Sequence, residues 1–536
     1  MFKSFSWHAG LPRFLGGFLE RVFDRCTGVL LDDPDIDAIL AVRQLTLLFS
    51  KVLLPCSDAR EKAAMDGYIQ CEQEVKEHDQ VLSPSDHDDF ARMSKLLFSQ
   101  LFVEMSRKVH YFELVPKHGP GATADKLRGN AKYLQRTWPT RLERFFPCGE
   151  FLFPNARYYN EHYDEIHFLE PGAEIPVRVI SVPKTQKTPR IIAIEPTAMQ
   201  YAQQAVLEGF IESIEKDSFL NRMLGFADQV PNQDMARLGS LSGDLATLDL
   251  SEASDRVSNQ LVRTLMSGFP ELHGAVDACR SRKADVPGHG VQRLAKFASM
   301  GSALTFPIEA MVFLTCVFLG IERSLNTQFT SKSALKRHAS GVRIYGDDII
   351  VPVDCVYDVI DQLERFGARV GSDKSFWIGK FRESCGKEYY DGFDVSIVKV
   401  RREFPTSRRH VPEIISLVSL RNQLYKAGYW ETVKMLDSKL EKILKYFPWV
   451  EESSSVLGRY SFLGFDQEKE CEYLHHPLVK GWVVSSDLPS DSLDGSGALL
   501  KYFLKRGDEP SADERHLERA GRPRAVRIKP RWARPY

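Results

Sequence analysis

The chain has little that would announce a partner or a compartment. Its nine cysteines, Cys26, Cys56, Cys279 and Cys385 among them, form no CxxC pair and no Cys/His spacing of the zinc type. That excludes a recognisable zinc motif and fits a reduced, cytosolic protein. Net charge is nearly absent as well: 71 basic side chains stand against 72 acidic ones, for a formal charge of -1. No global field draws a polyanion, so any nucleic-acid site has to be a local concentration of charge. The opening segment MFKSFSWHAGLPRFLGGFLERVF is interrupted by Arg13 and lacks a small-residue cleavage site, so it is not read as a signal peptide. The most apolar run, PIEAMVFLTCVFLGIE at 307–322, is short for a bilayer and carries Glu309 near its start. A buried helix and no membrane contact are expected. Internal repeats and long low-complexity blocks are missing too.

What is present is an ordinary folded composition, 43% hydrophobic and 27% charged, over 536 residues. That length suggests roughly three or four domains. Residues 1–115 mix helical periodicity, as in DIDAILAVRQLTLLF, with polar connectors and offer no obvious chemistry. KHGPGATADK at 117–126 forces a loop, read either as an anion-binding turn or as a structural one. Between 177 and 194, VRVISVPKTQKTPRIIAI reads as two β-branched runs around a turn carrying Lys184, Lys187 and Arg190. Lysines at a solvated tip often serve solubility alone. DLATLDLSEASD predicts a strand ending near Asp249, with Ser251, Ser254 and Asp255 as caps for a helix that presents Val257, Leu261, Val262 and Leu265. In ASMGSALTF, Ser299, Gly301, Ser302 and Thr305 make a small-residue loop able to pass close to a ligand. Beyond 400 the chain turns helical and ends in RAGRPRAVRIKPRWARPY, either a flexible extension or an RNA-contacting arm with Trp532 and Tyr536 among the arginines.

RIYGDDIIVP at 343–352 places two acids at the tip of a predicted hairpin. Neighbouring carboxylates repel unless a cation neutralises them. Hard oxygen ligands suit Mg²⁺, or Mn²⁺ in its place. A lone GDD is more often a surface turn than a metal site, but its company changes the reading. If strand 244–250 pairs beside the hairpin, Asp249, Asp347 and Asp348 form a three-carboxylate set able to hold two metal ions about 3.5–4 Å apart for in-line displacement at phosphorus. Lys184, Lys187 and Arg190 would then clamp phosphates. Asp255 and the Ser299–Thr305 loop would sense a 2′-hydroxyl. Gly346 is expected to allow the tight turn and leave room for a primer end.

The ordered set VPKTQKTPRIIAIEP, LATLDLSEASD, SMGSALTFPIEAM, YGDDIIVP and FRESCGKEYY, spanning about 175–400, resembles the replicase subunits of the positive-strand RNA bacteriophages, the leviviruses. The resemblance implies an α+β right-hand RNA polymerase: an N-terminal helical region at 1–115, fingers at 116–240, a palm at 241–400 with a fingers insertion near 266–296, and a thumb with the basic tail at 401–536. It implies Asp249, Asp347, Asp348 and the backbone of Leu250 as ligands of two Mg²⁺ ions. It further implies Lys184, Lys187 and Arg190 as the nucleotide-phosphate clamp, and Ser299, Met300 and Gly301 as the template and sugar loop. Lys374 matches the position of a general acid near the leaving pyrophosphate, and an exposed lysine reads equally well there. FRESCGKEYY matches the support for the nascent 3′ end, with Cys385 buried or structural. Implied partners are template and nascent RNA, nucleoside triphosphates, host elongation factors Tu and Ts and a ribosomal RNA-binding protein, in the cytoplasm of a bacterial host. The helix TFPIEAMVF departs from the pattern of many other viral polymerases, which carry an asparagine there.

Other readings are a narnavirus- or mitovirus-type polymerase, a metal-dependent phosphohydrolase, and an RNA-binding protein with a decayed site. A hydrolase needs a water-activating base, often His, and the nearest candidates are His338 and His410. Decay should have removed at least one acid, and all three stand.

Overall fold

The β-branched runs VRVISV and RIIAI form strands Val177–Val182 and Arg190–Ile194, paired antiparallel from Arg178↔Ile194 to Val182↔Arg190. The computed structural model describes residues 6–119, 121–185, 188–487, 491–506 and 525–536. In it this hairpin stays apart from the acidic one. It joins Lys283–Val286 and Gly290–Arg293 in a four-stranded sheet, with Val177 opposite Ala284.

The acids belong to a second, antiparallel sheet in the order Arg343–Tyr345, Asp348–Pro352, Leu245–Asp249. Ile349, Ile350, Val351, Ala246 and Leu248 are all buried, which leaves little freedom of register, since a one-residue slip would reverse every side chain. Behind the sheet runs the helix Thr305–Ser324, packed on Val356–Arg365. At 20 residues and mean hydropathy 1.6 it is long and apolar enough to cross a membrane, so the length argument drawn from 307–322 was too short. Its surroundings decide the matter: 94% of that stretch is buried inside the protein, as expected of a helix apolar on all sides in a large core. The helix Pro84–His110, started by a Ser83–Asp86 capping box and Pro84, adds Phe90, Phe98 and Phe102 to the same core.

One predicted helix is broken. Ala253–Arg256 makes a single turn, Val257 is extended, and Ser258 rather than Ser251, Ser254 or Asp255 caps the next helix, Asn259–Leu265, through Gln260 N at 3.0 Å. Competition for backbone explains the break: Phe297 N donates to Val257 O at 2.7 Å and Asn259 N to Ala295 O at 2.9 Å.

Past residue 400, helices Val411–Lys426 and Trp430–Leu444 pack around a buried Arg421–Asp437 ion pair at 2.8 and 3.0 Å. The basic terminus is not a loose extension over its described part. Ala525–Ala533 is a strand paired along Pro477–Asp487, and Ile528 packs against the helices. Helices interspersed with several small, mainly antiparallel sheets, rather than one parallel sheet of βαβ units, make the fold class α+β.

Candidate active site

The strand register sets Asp348 directly opposite Asp249, although 98 positions separate Asp249 from Asp347 in sequence. Gly346 turns the tip with φ +61, in the left-handed region. A Cβ there would strike the ring of Phe306, which stacks edge-on against Tyr345 at 5.2 Å. The left-handed turn and the Phe306 ring of the core helix together call for glycine here. Two further segments brace the acids. Cys385 N and Ser384 Oγ, at the tip of the hairpin Phe381–Ser384/Lys387–Tyr390, donate to Asp348 Oδ1 at 3.2 and 3.4 Å. Along the other edge Asp249 N donates to Ser375 Oγ at 3.1 Å and Gly371 N to Asp249 O at 2.8 Å, while buried Leu250 bridges to Val370.

This arrangement concentrates negative charge. Burial, then the Asp347 and Asp249 charges, push the Asp348 carboxyl up to about 6, even though the Cys385 N–H favours its anion. Asp347 is open to solvent at the tip, yet enough protein surrounds it that lost hydration, followed by Asp249, raises it too. Asp249 has a cation: Lys374 Nζ lies 3.0 Å from its Oδ2. Burial works to lower the Lys374 ammonium, but the hydrogen bond and charge of Asp249 outweigh it and hold the group above its ordinary value. Cys385 is half-buried, and burial followed by Asp348 pushes its thiol up to about 12, so it contributes a backbone N–H rather than a nucleophile.

On one flank stand Lys184 and Arg190, both exposed. Lys184 is depressed by burial and then by Arg190, Lys374 and Lys51, against the pull of Asp249. Lys187 lies outside the described residues. The opposite flank is packed and paired. Lys296 is fully buried, 3.0 Å from Asp255 and 3.8 Å from Glu72, with its ammonium 3.7 Å from the centroid of the Tyr68 ring. Tyr68 in turn shares a 2.9 Å hydrogen bond with buried Ser299 Oγ. Met300 O accepts from Ala193 N at 2.9 Å, and Gly301, at φ +135, runs so close to the Ala193 carbonyl that no side chain fits. The loop is thus pinned against strand Arg190–Ile194. Glu309 holds the place where the asparagine was missed. It is buried with Oε2 unpartnered among the described residues, and burial, then Asp347, then Asp255 raise its carboxyl well above the ordinary range.

Tyr68, Glu72, Lys296 and Lys51 escape a sequence reading. The first two carry only the signal of a helix, Asp58–Val81, whose buried face includes a tyrosine and a glutamate. So the N-terminal region, read as free of chemistry, supplies side chains to both flanks. The loop 117–126 resolves toward structure: the carbonyls of Gly119 and Gly121 clasp the Lys132 ammonium at 2.7 and 2.6 Å, an arrangement that offers oxygens rather than N–H groups.

Comparison with known proteins follows the same segments. Residues 174–458 match the family model described as RNA replicase, beta-chain. The RNA-directed RNA polymerase beta chain of Enterobacteria phage fr is 32% identical over 303 residues, 56% of this chain and 49% of that one. The RNA-directed RNA polymerase subunit beta of Enterobacteria phage SP is 33% identical over 377 residues, 66% and 60% of the two chains. That of Qbeta virus (strain MX1) is 35% identical over 256 residues, 48% and 39%. The chain thus spans about half the length of the curated relatives it matches. Among solved structures, the RNA-dependent RNA polymerase of a human picorbirnavirus aligns at TM-score 0.34 and 13% identity over 46% of this chain and 52% of that one, too slight a likeness to carry an argument. With more than half of its length matched by the family model, the chain belongs to the RNA replicase beta-chain family.

Proposed function

We propose that the chain copies RNA from an RNA template by two-metal nucleotidyl transfer, as the replicase of a single-stranded RNA phage in the cytoplasm of a bacterial host. The observation that carries this reading is the register that puts Asp348 opposite Asp249, with Asp347 on the same tip and, on one flank, Lys184 and Arg190 without an ion-pair partner among the described residues. Among the described residues no three carboxylates, imidazoles or thiolates converge closely enough to hold a metal as they stand. The donors nevertheless fit a hard divalent ion. They are all oxygens, and burial and then neighbouring carboxylates, Asp249 beside Asp347 and both of these beside Asp348, raise two of the three acids, a repulsion that a cation would relieve. Asp249, Asp347, Asp348 and the Leu250 carbonyl would hold two Mg²⁺ ions, or Mn²⁺, which would activate the attacking 3′-hydroxyl and stabilise the leaving pyrophosphate.

The chain's own groups divide the remaining work. Lys184, Arg190 and, outside the described residues, Lys187 would bind the triphosphate. Asp255 and the Ser299–Gly301 loop would read the ribose. Lys374, already hydrogen-bonded to Asp249, would donate a proton to pyrophosphate once that partner turns to a cation. In this reading 241–400 is the palm, 116–240 with about 266–296 the fingers, 401–536 the thumb with the basic tail, and 1–115 an N-terminal helical region joined to the fingers. The pairing of 283–286 with the basic hairpin rather than with the acid sheet supports that division. Template and nascent RNA, nucleoside triphosphates and, by resemblance, host elongation factors Tu and Ts and a ribosomal RNA-binding protein complete the proposed partners.

The rival hydrolase reading gains no support: His338 stacks on Phe329 at 5.4 Å, ahead of the strand that leads to the acids. The test is synthesis of a complementary strand from an RNA template with Mg²⁺ and all four nucleoside triphosphates. Asp347→Asn should retain RNA in a filter-binding assay and lose at least about a thousandfold of the synthesis rate, as expected when a transition-state charge stabiliser is removed. Template-dependent synthesis that survives in this variant overturns the metal site.

A further inference from the structure

The segment 48–56 of the N-terminal region is threaded between two parts of the chain far away in sequence. Val400 N donates to Leu48 O and Leu53 N to Arg401 O, each at 2.8 Å, and Cys56 Sγ donates to Thr185 O at 3.4 Å. This stitching brings Lys51 to the basic hairpin on one side and to Lys399 and Arg401 on the other. The outcome is a group of cations from four separate stretches: Lys51, Lys184 with Arg190, Lys374, and Lys399 with Arg401.

They are poorly neutralised. Among the described residues no carboxylate lies within ion-pair distance of Lys51, Lys184, Arg190 or Arg401, and Lys399 reaches Glu388 only at 4.0 Å. They also converge rather than line up. Lys51 is half-buried and depressed by burial and then by Lys399, Arg401, Lys374 and Arg190, while Lys184 is depressed by burial and then by Arg190, Lys374 and Lys51. A folded chain that gathers unpaired like charges works against its own stability unless an anion offsets them. A polynucleotide backbone calls for cations spaced along a groove. A cluster in which Lys51 and Lys184 each feel several other cations suits a compact polyanion. Lys374 ties the cluster to the acids through its 3.0 Å contact with Asp249, so a polyanion bound here reaches the place where chemistry on phosphorus is proposed.

We infer that Lys51, backed by Lys399 and Arg401, completes with Lys184, Arg190 and Lys374 a cradle for the triphosphate of the incoming nucleotide, so that the N-terminal region takes a direct part in substrate binding. The inference rests on the polymerase reading for the identity of the ligand, while the cradle itself is testable without catalysis.

Inorganic tripolyphosphate, titrated calorimetrically into the full chain in EDTA, reads the cradle alone. Lys51→Gln and Arg401→Gln should each weaken binding roughly tenfold, the loss of one charge-assisted contact. Lys51→Arg should restore most of it, and Lys434→Gln, an exposed cation on the helix Trp430–Leu444, should match the unmodified chain. In RNA synthesis Lys51→Gln should raise KM for nucleoside triphosphates by a similar factor and lower kcat less, with RNA retention on filters unchanged. Unaltered tripolyphosphate affinity in a Lys51→Gln protein that melts like the unmodified chain overturns the cradle. So does loss of RNA retention with KM unchanged, which would make the cluster a site for nucleic-acid backbone. If the unmodified chain, supplied with the proposed host partners, makes no RNA but binds tripolyphosphate in a Lys51-dependent way, the cradle stands and the polymerase reading falls.

Discussion

The two flanks of the acid turn are built on opposite electrostatic terms. On the proposed sugar side Lys296 is sealed from solvent, yet it is matched by Asp255 and Glu72 and covered by the Tyr68 ring. Burial alone would lower its ammonium, and those neighbours hold it above its ordinary value. On the other flank, the proposed phosphate side, Lys51 and Lys184 are less enclosed, and burial and then neighbouring cations depress them. The difference separates charges that hold a shape from charges that wait for a ligand. A buried ion whose partners are fixed keeps its geometry without help, because breaking it would strand several charges in a low dielectric. An unmatched cation contributes nothing to stability until an anion arrives. The acids belong to the second kind, with Lys374 as a partial internal counter-ion for Asp249.

The sharpest way to break the comparison is to remove the central cation of the paired flank. Lys296→Met keeps much of the volume and leaves buried Glu72 and half-buried Asp255 without their cation. Unfolding stability should fall by about 3–5 kcal/mol, read from the denaturant midpoint. A midpoint unchanged within error would mean that this flank is no more structural than the other.

A smaller effect is expected from the acids, with a sign that marks them as unpaired. The Asp348 carboxyl sits at about 6 in the folded chain, pushed there by burial and then by Asp347 and Asp249, against an ordinary value of 3.8. Between those pH values the folded state binds more protons than the unfolded one, so stability must fall as pH rises and level off above about 6. The two-unit difference corresponds to no more than about 3 kcal/mol, reduced in practice by the solvent that reaches the site. In metal-free buffer the melting temperature should decline from pH 4.5 to 7, and Asp348→Asn should flatten that slope. A variant with the same slope as the unmodified chain would show that Asp348 is not the group responsible.

Much of this site was legible in the sequence because its chemistry is local. GDD between two apolar runs, DLATLD ending a strand, and the lysines between VRVISV and RIIAI are each readable within about ten residues. The pairing of strand 244–250 with the hairpin was only a condition in that reading, and its register is held in the fold by buried Ile349, Val351, Ala246 and Leu248. What stayed hidden depends on distant pairing. Tyr68 lies 231 positions from Ser299, and Lys51 reaches its neighbours through backbone bonds to Val400 and Arg401, so neither leaves a periodic or compositional trace. The break at Val257 was hidden for a similar reason. Helix periodicity in RVSNQLVRTL is genuine, and it lost to hydrogen bonds from the segment 295–297 that no propensity scale contains.

The mildest change tests whether the paired flank serves the reaction or only the fold. Tyr68→Phe removes a single hydroxyl and keeps the ring beneath the Lys296 ammonium, so the cation–π contact survives while the hydrogen bond to Ser299 Oγ is lost. Losing one buried hydrogen bond costs about 1 kcal/mol, a shift in the denaturant midpoint that a purely structural tyrosine would also produce. The separate readout is sugar discrimination, the ratio of kcat/KM for a ribonucleoside triphosphate to that for its 2′-deoxy analogue. If Tyr68 positions Ser299 for the ribose, the same free energy should narrow that ratio about fivefold. A midpoint shift with the ratio intact would assign Tyr68 to the fold alone, and the sugar side would then be a rigid wall whose selectivity resides in Asp255 and Glu309.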